Sequence, residues 1–514
     1  MGAGSGRRVG ALLTAAAVTV GLACGSSHVP ANDPGSPPDD GSSPGSGAPG
    51  TPGVPGTSDG GTPDGGTGGG ATDGGTGGGA TDGGTGGSGG GTALPECPTV
   101  DVPAHEADAD VNPPPGWNAN WSPLGGAMTG QNPYRVQSVM SSLAVDSASH
   151  PVVAWVQTGQ GVKGEGASLY VRRWSGSGWQ SVGRGLKAVA GESNPPASPS
   201  LVLDRAGNPV VAWSEGDGVG SSHLFVCRWD GNTWRSLGGA LSARSGTTVA
   251  RLPSLRFWGD APVIAWSEAG ASDVAASVYV RRWDGNAWQA VGDGLNTQPE
   301  DTRGKDNSAA RPWLAADGAG NLVVAFDELN PETHVLNISV YRWGQGAWTP
   351  VGGPLHADVT EPSGPTSAMD ATLTLDGGGT PIVAWGQGMQ DYVARWTGSQ
   401  WEFLGAPLAV GAVKWIGSPM VAADLQGRPV VADLFEDESS TITVRVRRWE
   451  GAGWSLLGGN LNVYPGATSV GSRPGLALDR DGVPFVSFSE GSTPPLHNGM
   501  TPLDLFVWRY AQPH

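Results

Sequence analysis

Aromatic residues are missing from the first 116 positions of this chain, and lysine and arginine from all of these but positions 7 and 8. Between Cys24 and Gly116 there are acidic side chains but no lysine or arginine, and all 22 tryptophans lie from Trp117 onward. Such a segment cannot bury enough apolar surface to offset the entropy of ordering its backbone. Cysteine is scarce, three in 514 residues, which excludes a disulfide-dense scaffold. The net charge is -18, and no basic patch of the kind nucleic acid requires is present. The one long apolar run, Val9–Ala23, falls short of the ~20 residues a membrane-spanning helix needs. No GxSxG, HExxH, Walker or dinucleotide-binding motif stands out.

What the chain does have is a repeat. Val226–Leu237 (VCRWDGNTWRSL) recurs as Val171–Val182, Val280–Val291, Val340–Val351, Val393–Leu404 and Val446–Leu457. A seventh copy is split between the chain ends, Val507–Tyr510 (VWRY) and Trp121–Leu124 (WSPL). Upstream of each copy stands a second motif, as in Leu201–Trp213 (LVLDRAGNPVVAW) and Leu373–Trp385 (LTLDGGGTPIVAW). Alternating apolar residues, an Asp-x-x-Gly-x-Pro turn and a Val-Val-Ala-Trp run read as two strands, A and B. The first motif reads as a hairpin of strands C and D, with its two tryptophans facing each other. A lone four-stranded sheet leaves an apolar face wet, so neighbours must stack on it. The expected fold is therefore all-β: a seven-bladed β-propeller of four-stranded blades, closed by pairing of the N- and C-terminal strands. In texture the chain resembles the secreted bacterial propeller repeats, kelch-like and Asp-box-like. That resemblance implies a fold and no catalytic residues.

Three regions follow. Residues 1–23 read as a signal peptide, with Arg7-Arg8 ahead of the apolar run. Gly21-Leu22-Ala23-Cys24 resembles a bacterial lipoprotein signal, which implies lipidation of Cys24 and an outer-membrane lipoprotein, or a secreted protein if Cys24 is not lipidated. Residues 24–110 read as a disordered tether with an r.m.s. span of roughly 50 Å. Its nonapeptides Gly65–Asp73 and Gly74–Asp82 lack the aspartate and large aliphatic positions of a calcium-binding β-roll. Residues 111–514 form the propeller. Cys97 and Cys227 can pair in an oxidising compartment, and the sequence leaves that pairing and two free thiols equally open.

Candidate sites fall at the two edges of the blades. An arginine precedes the first aromatic of each hairpin: Arg173, Arg228, Arg282, Arg342, Arg395, Arg448 and Arg509. An aspartate ends strand A in six repeats: Asp146, Asp204, Asp317, Asp376, Asp424 and Asp479; the third repeat has Trp258 instead, with Asp260 nearby. A structural ring of Arg–Asp pairs beside the tight turns is expected. At the opposite, long-loop edge strand B ends in Gln157, Glu215, Glu268, Glu328, Gln387 or Glu490, and the sixth repeat departs with Asp433 and Phe435-Glu436-Asp437-Glu438. Function usually sits on such loops. The candidate ligand-binding residues are Glu215, Glu268, Asp327, Glu328, Glu436, Asp437, Glu438 and Glu490. No catalytic or metal-ligating residue is assigned, and His223, His334 and His356 show no metal spacing. No cofactor is expected; calcium is retained only as a cation the acidic edge can accept.

The leading expectation is a monomeric, non-catalytic binding module at the cell envelope, with an envelope protein or glycan as partner, no nucleic acid, and membrane contact through the N-terminal lipid alone. The alternatives are an exported polysaccharide hydrolase or lyase with its site on the long-loop face, and a structural envelope protein.

Overall fold

The computed structural model describes residues 94–100, 120–128, 136–159, 167–189, 195–270, 276–296, 309–330, 332–358, 360–361, 364–408, 415–436, 441–463, 469–470, 473–491 and 503–511. The chain divides between Gly87 and Ser88, and every described residue lies in the second unit, Ser88–His514. The signal segment, Cys24 and the nonapeptides lie outside the described residues.

The second unit is all-β and of propeller type. Its antiparallel sheets repeat one meander, A-B-C-D. The first is Val136–Val145, Pro151–Gly159, Ser168–Trp174 and Trp179–Ser181. The second is Ala197–Leu203, Pro209–Gly216, Ser222–Trp229 and Trp234–Ser236. The third is Thr248–Trp258, Ala261–Gly270, Ser277–Trp283 and Trp288–Ala290. The fourth is Ala309–Ala316, Leu322–Leu329, Leu336–Gly344 and Ala347–Pro350. The fifth is Ala368–Leu375, Pro381–Gln387, Gln390–Trp396 and Trp401–Phe403. The sixth is Trp415–Ala423, Pro429–Glu436, Ile442–Trp449 and Trp454–Leu456. The last takes A, B and C from Gly475–Leu478, Pro484–Gly491 and Asp504–Tyr510, and its outer strand is Trp121–Pro123, with Trp121 opposite Tyr510 and Pro123 opposite Trp508. Each A strand packs beside the next, and Val136–Val145 lies against Gly475–Leu478. Every A strand from the first to the sixth carries a bulge, with one residue at positive φ: Met140, Ser198, Leu252, Arg311, Asp370 and Ser418. Two residues after Met140, Ser198, Leu252 and Asp370, a hydroxyl ties one A strand to the next. Ser142, Ser200, Ser254 and Thr372 accept the amides of Leu201, Leu255, Leu314 and Val421 at 2.9–3.1 Å.

The tryptophan pairs are packing elements. Trp174–Trp179, Trp229–Trp234 and their counterparts lie opposite each other in register and meet edge to face, centroids about 5.4 Å apart, a geometry that aromatic quadrupoles favour. The indole N–H of the second tryptophan crosses to the preceding meander. Trp179, Trp234, Trp288, Trp348, Trp401 and Trp454 donate to the carbonyls of Leu124, Val182, Leu237, Val291, Val351 and Leu404, and Trp121 donates to Leu457, all at 2.6–3.0 Å. A glycine at positive φ follows each acceptor, from Gly125 to Gly458. At Gly292 the reason is plain: φ is +73°, and a Cβ would sit 2.7 Å from Trp348 Cδ1.

At the tight-turn edge, each strand-A aspartate caps its own turn. Asp204 Oδ1 accepts the amides of Ala206 and Asn208, and Asp146, Asp317, Asp376, Asp424 and Asp479 do the same two and four residues on. The expected ring of Arg–Asp pairs is corrected here. Among the described residues only Arg228 takes its expected partner, Asp204, at 2.6 Å. Arg173, Arg342 and Arg395 instead reach the next meander and donate to the turn carbonyls of Gly207, Gly379 and Gly427. The aspartates are already occupied by amides, whereas those carbonyls need a donor, so the guanidinium goes there. In the third meander Trp258 Nε1 makes the equivalent bond to the Gly320 carbonyl at 2.8 Å, and Arg282 lies over its ring. Arg448 pairs with Glu450, Arg509 lies over Phe485, and Asp424 is taken by Arg428.

The tether boundary also moves. Residues 94–100, expected in the linker, belong to the folded unit. Thr99 and Val100 pair with Leu186 and Gly185, Glu96 bridges Arg235, and Cys97 is bonded to Cys227. The strap thereby joins the outer edges of the first two meanders.

Two outcomes are expected. Gly292→Ala should cost about 2–4 kcal/mol in denaturant unfolding, from the left-handed backbone and overpacking together. Gly453→Ala, where a Cβ meets nothing within 4 Å, should stay within about 0.5 kcal/mol. Replacing Cys97 and Cys227 together by serine should lower stability by about 2–5 kcal/mol, because the bond closes a loop with sequence separation 130.

Candidate functional site

The long-loop edge holds acids of two kinds. The first kind fastens loops. Glu215 accepts the Trp213 indole N–H at 2.9 Å and the amides of Ala188 and Val189, which belong to the preceding meander's D–A connection. Glu268 repeats this with Trp266, Ala243 and Arg244; burial raises its pKa, but these donors and Ser242 outweigh that and hold it below the usual value. Glu490 accepts the Val463 amide at 2.6 Å, and Gln387 exchanges hydrogen bonds with both the amide and the carbonyl of Ala357. Glu328 accepts from Ser339 Oγ at 2.5 Å. Glu215, Glu268, Glu328 and Glu490 are all buried. Their expected role as ligand-facing carboxylates is therefore corrected: they bind the protein's own polar groups, loop amides for Glu215, Glu268 and Glu490 and the Ser339 hydroxyl for Glu328. Glu436 is half-buried at a strand end, and Asp437 and Glu438 lie outside the described residues.

The second kind forms a charged group where the repeat is broken. In strand B the fourth residue of the Val-Val-Ala-Trp run is aromatic in the other meanders, but Asp433 in the sixth. Opposite it, where Tyr170, Phe225, Tyr279, Tyr392 and Phe506 stand elsewhere, is Arg445. Strand C carries Leu169, Leu224, Val278, Ile338, Val444 and Leu505 at one fully buried position, and Asp391 in the fifth meander. Gly386, paired with Asp391, leaves room for it: a Cβ there would lie 3.4 Å from Asp391 Oδ1. Asp433 is ion-paired with Arg447. Among the described residues neither oxygen of Asp391, nor Oδ1 of Asp433, has a hydrogen-bond partner, and both residues are 0% exposed.

Asp327, in the fourth meander, extends the group toward the row of A strands. Its Oδ2 accepts from Arg311 at 2.8 Å and from the bulge amide of Asp370 at 3.0 Å. Arg311 and Asp370 occupy the positive-φ bulge positions of adjacent A strands and pair at 3.2 Å. Arg473, from the meander two further on, reaches Asp370 Oδ1 at 3.1 Å and the Asp370 carbonyl at 3.2 Å. Since the sixth meander lies between, this contact crosses the inside of the row of A strands. Arg311, Asp370 and Arg473 are the solvent-facing part of the group, their side chains 19, 34 and 28% exposed.

Burial dominates the electrostatics. It raises Asp327 to about 6, with Arg311 opposing and Asp370 reinforcing. It raises Asp433 to about 6 against Arg447 and Arg445. It raises Asp391 well above the usual range, reinforced by Asp433 and opposed by Arg447 and Arg473. Of the residues the sequence pattern nominates as ligand-binding, only Asp327 belongs to this group. The pattern marks Asp433 merely as a departure from the repeat, and it passes over Arg311, Asp370, Asp391, Arg447 and Arg473. Aligning the repeats position by position exposes Asp391 and Asp433. The same alignment exposes Arg473, which stands six residues before Asp479 as Arg311 and Asp370 stand six before Asp317 and Asp376. Among the described residues no group of three or more His, Cys, Asp or Glu side chains is arranged to hold a metal ion.

Carboxyls raised by burial bind more protons folded than unfolded, so stability falls as pH rises from about 4 through about 6 for Asp327 and Asp433, and Asp391, raised well above the usual range, adds to that fall. Asp391→Leu, which restores the aliphatic residue of the other repeats, should raise the unfolding midpoint at pH 7.5 and reduce this pH dependence. Thermal melts at pH 4.5 and 7.5 measure both.

No protein-family model matches the chain. No curated protein matches it either. Solved structures share its general form at low identity. An α-L-arabinanase from Penicillium chrysogenum, complexed with arabinobiose, is 14% identical, covering 65% of this chain and 99% of its own, with TM-score 0.44. A polysaccharide lyase, an ulvan lyase of family PL25, is 10% identical, covering 74% and 95%, with TM-score 0.47. The fucose-recognising Aleuria aurantia lectin, a six-bladed β-propeller, is 14% identical, covering 64% and 96%, with TM-score 0.38.

Proposed function

We propose that this chain is an exported, lipid-anchored, seven-bladed β-propeller that binds a glycan at the cell envelope without catalysis. The closed seven-blade reading is supported by the indole-to-carbonyl bonds, which run from each meander to the one before and include Trp121 to Leu457 and Trp179 to Leu124. Anchoring and outer-membrane location rest on the Cys24 signal alone.

The observation that carries the binding role is the Arg311–Asp370–Arg473 group. It puts guanidinium donors beside a carboxylate acceptor, partly exposed, at an arc where the repeat is broken by ionic residues. Sugar hydroxyls both donate and accept, so side-by-side donors and acceptors suit them. Hydrolysis fits less well. It needs two carboxyls that reach one glycosidic bond, and of the four in this group only Asp370 is accessible; Asp327, Asp391 and Asp433 are sealed.

The test is a glycan array probed with the full chain and with Asp370→Asn, which keeps a residue tolerant of positive φ. Selective binding without product formation is expected, weakened at least tenfold by Asp370→Asn at an unchanged unfolding midpoint. A blank array from folded protein, or cleaved ligand, would sink the reading.

A further inference from the structure

The balance of charge within the group points to a narrower ligand class. Asp391 has no partner for either oxygen among the described residues, is fully buried and faces Asp433. Ionising it would place a second carboxylate beside Asp433 in a fully buried position, with Arg447 already paired to Asp433, so burial favours its protonated form. Arg311, Arg447 and Arg473 then stand against Asp327, Asp370 and Asp433, with Arg445 at the rim, turned to Asn460 at 2.8 Å. Three arginines thus balance three aspartates on this arc, in a chain whose net charge is -18.

Arg311 and Arg473 converge on one oxygen, Asp370 Oδ1, at 3.2 and 3.1 Å. Arg473 makes both its bonds to Asp370 with the same nitrogen, Nη2. Asp370 therefore does not use the forked edge of that guanidinium, the edge that matches a carboxylate with two parallel bonds. We propose that the ligand is an acidic saccharide, one of whose carboxylates docks on Arg473 beside Arg311. This rests on the glycan reading above and adds the charge of the ligand to it. Repulsion from the rest of the acidic chain is screened within about 10 Å at 0.1 M salt, so the local group decides.

Acidity strengthens the site. Asp327 and Asp433 take up protons near pH 6, while a uronic acid carboxyl stays ionised at pH 5. Each proton gained removes a negative charge next to the arginines.

The experiment uses the full chain and two sets of probes: oligogalacturonate and oligoglucuronate, and the same oligomers with every carboxyl methyl-esterified. Calorimetric titration at pH 7.5 and pH 5 should show the acids binding at least tenfold tighter than their esters, with a further several-fold gain at pH 5. Arg473→Gln should erase the preference for acid over ester. Arg473→Lys, which keeps the charge and loses the fork, should retain part of it, and melts of both variants check folding. Equal binding of acids and esters, or glycan-array hits confined to neutral sugars, would overturn the acidic class while leaving the glycan reading intact. No binding by any acid, ester or arrayed glycan would overturn both.

Discussion

The indole N–H of the second hairpin tryptophan, bonded to a carbonyl in the preceding meander, is the constraint on which the architecture depends. One such bond is worth about 1 kcal/mol net. Its larger effect is positional: it fixes how far each sheet slides over its neighbour. The glycine after each acceptor carbonyl exists because the next tryptophan pair lies over it. Gly183, where an added Cβ would lie only 2.6 Å from Trp229, shows how little space remains. A sheet so located places its A strand, and hence its bulge, at the same depth as the others. Only then can Arg311 and Asp370, on neighbouring bulges, meet at all.

The two edges solve the same problem with different groups. Turns and connections leave backbone donors and acceptors unsatisfied, and burial makes each one costly. At the tight-turn edge, aspartates cap amides within their own turn and arginines supply carbonyls in the next. At the long-loop edge, Glu215, Glu268, Gln387 and Glu490 cap amides in the preceding connection. Charge at most repeat positions is therefore committed to holding backbone. The side chains of Asp391 and Asp433, which hold no backbone group among the described residues, depart from this pattern.

Much of the fold is legible in the sequence because period-two alternation and turn chemistry repeat, and because VWRY at one chain end complements WSPL at the other. The paired tryptophans are legible as packing for the same reason. The partners of the arginines are not. Whether Arg173 reaches an aspartate or a carbonyl depends on the stagger between neighbouring sheets, which no single repeat encodes. The acids at the ends of strand B mislead for a related reason. Position at a strand end implies exposure, whereas Glu215 and Glu268 are covered by loops arriving from another repeat. Asp391 is hidden because it precedes a tyrosine in a hairpin motif that otherwise looks ordinary.

The Cys97–Cys227 bond also sets the path of mechanical force. The strand Trp121–Pro123 is three residues long and follows Cys97 in the chain, and alone it would peel from Tyr510 one hydrogen bond at a time under tension from the N-terminal side. The covalent link lies upstream of it. Tension applied ahead of residue 94 passes through Cys97 into Cys227, in the middle of a four-stranded sheet, and the short outer strand carries none of it. Reduction would leave that load to the backbone pairing of residues 94–100 and, beyond it, to the three-residue outer strand.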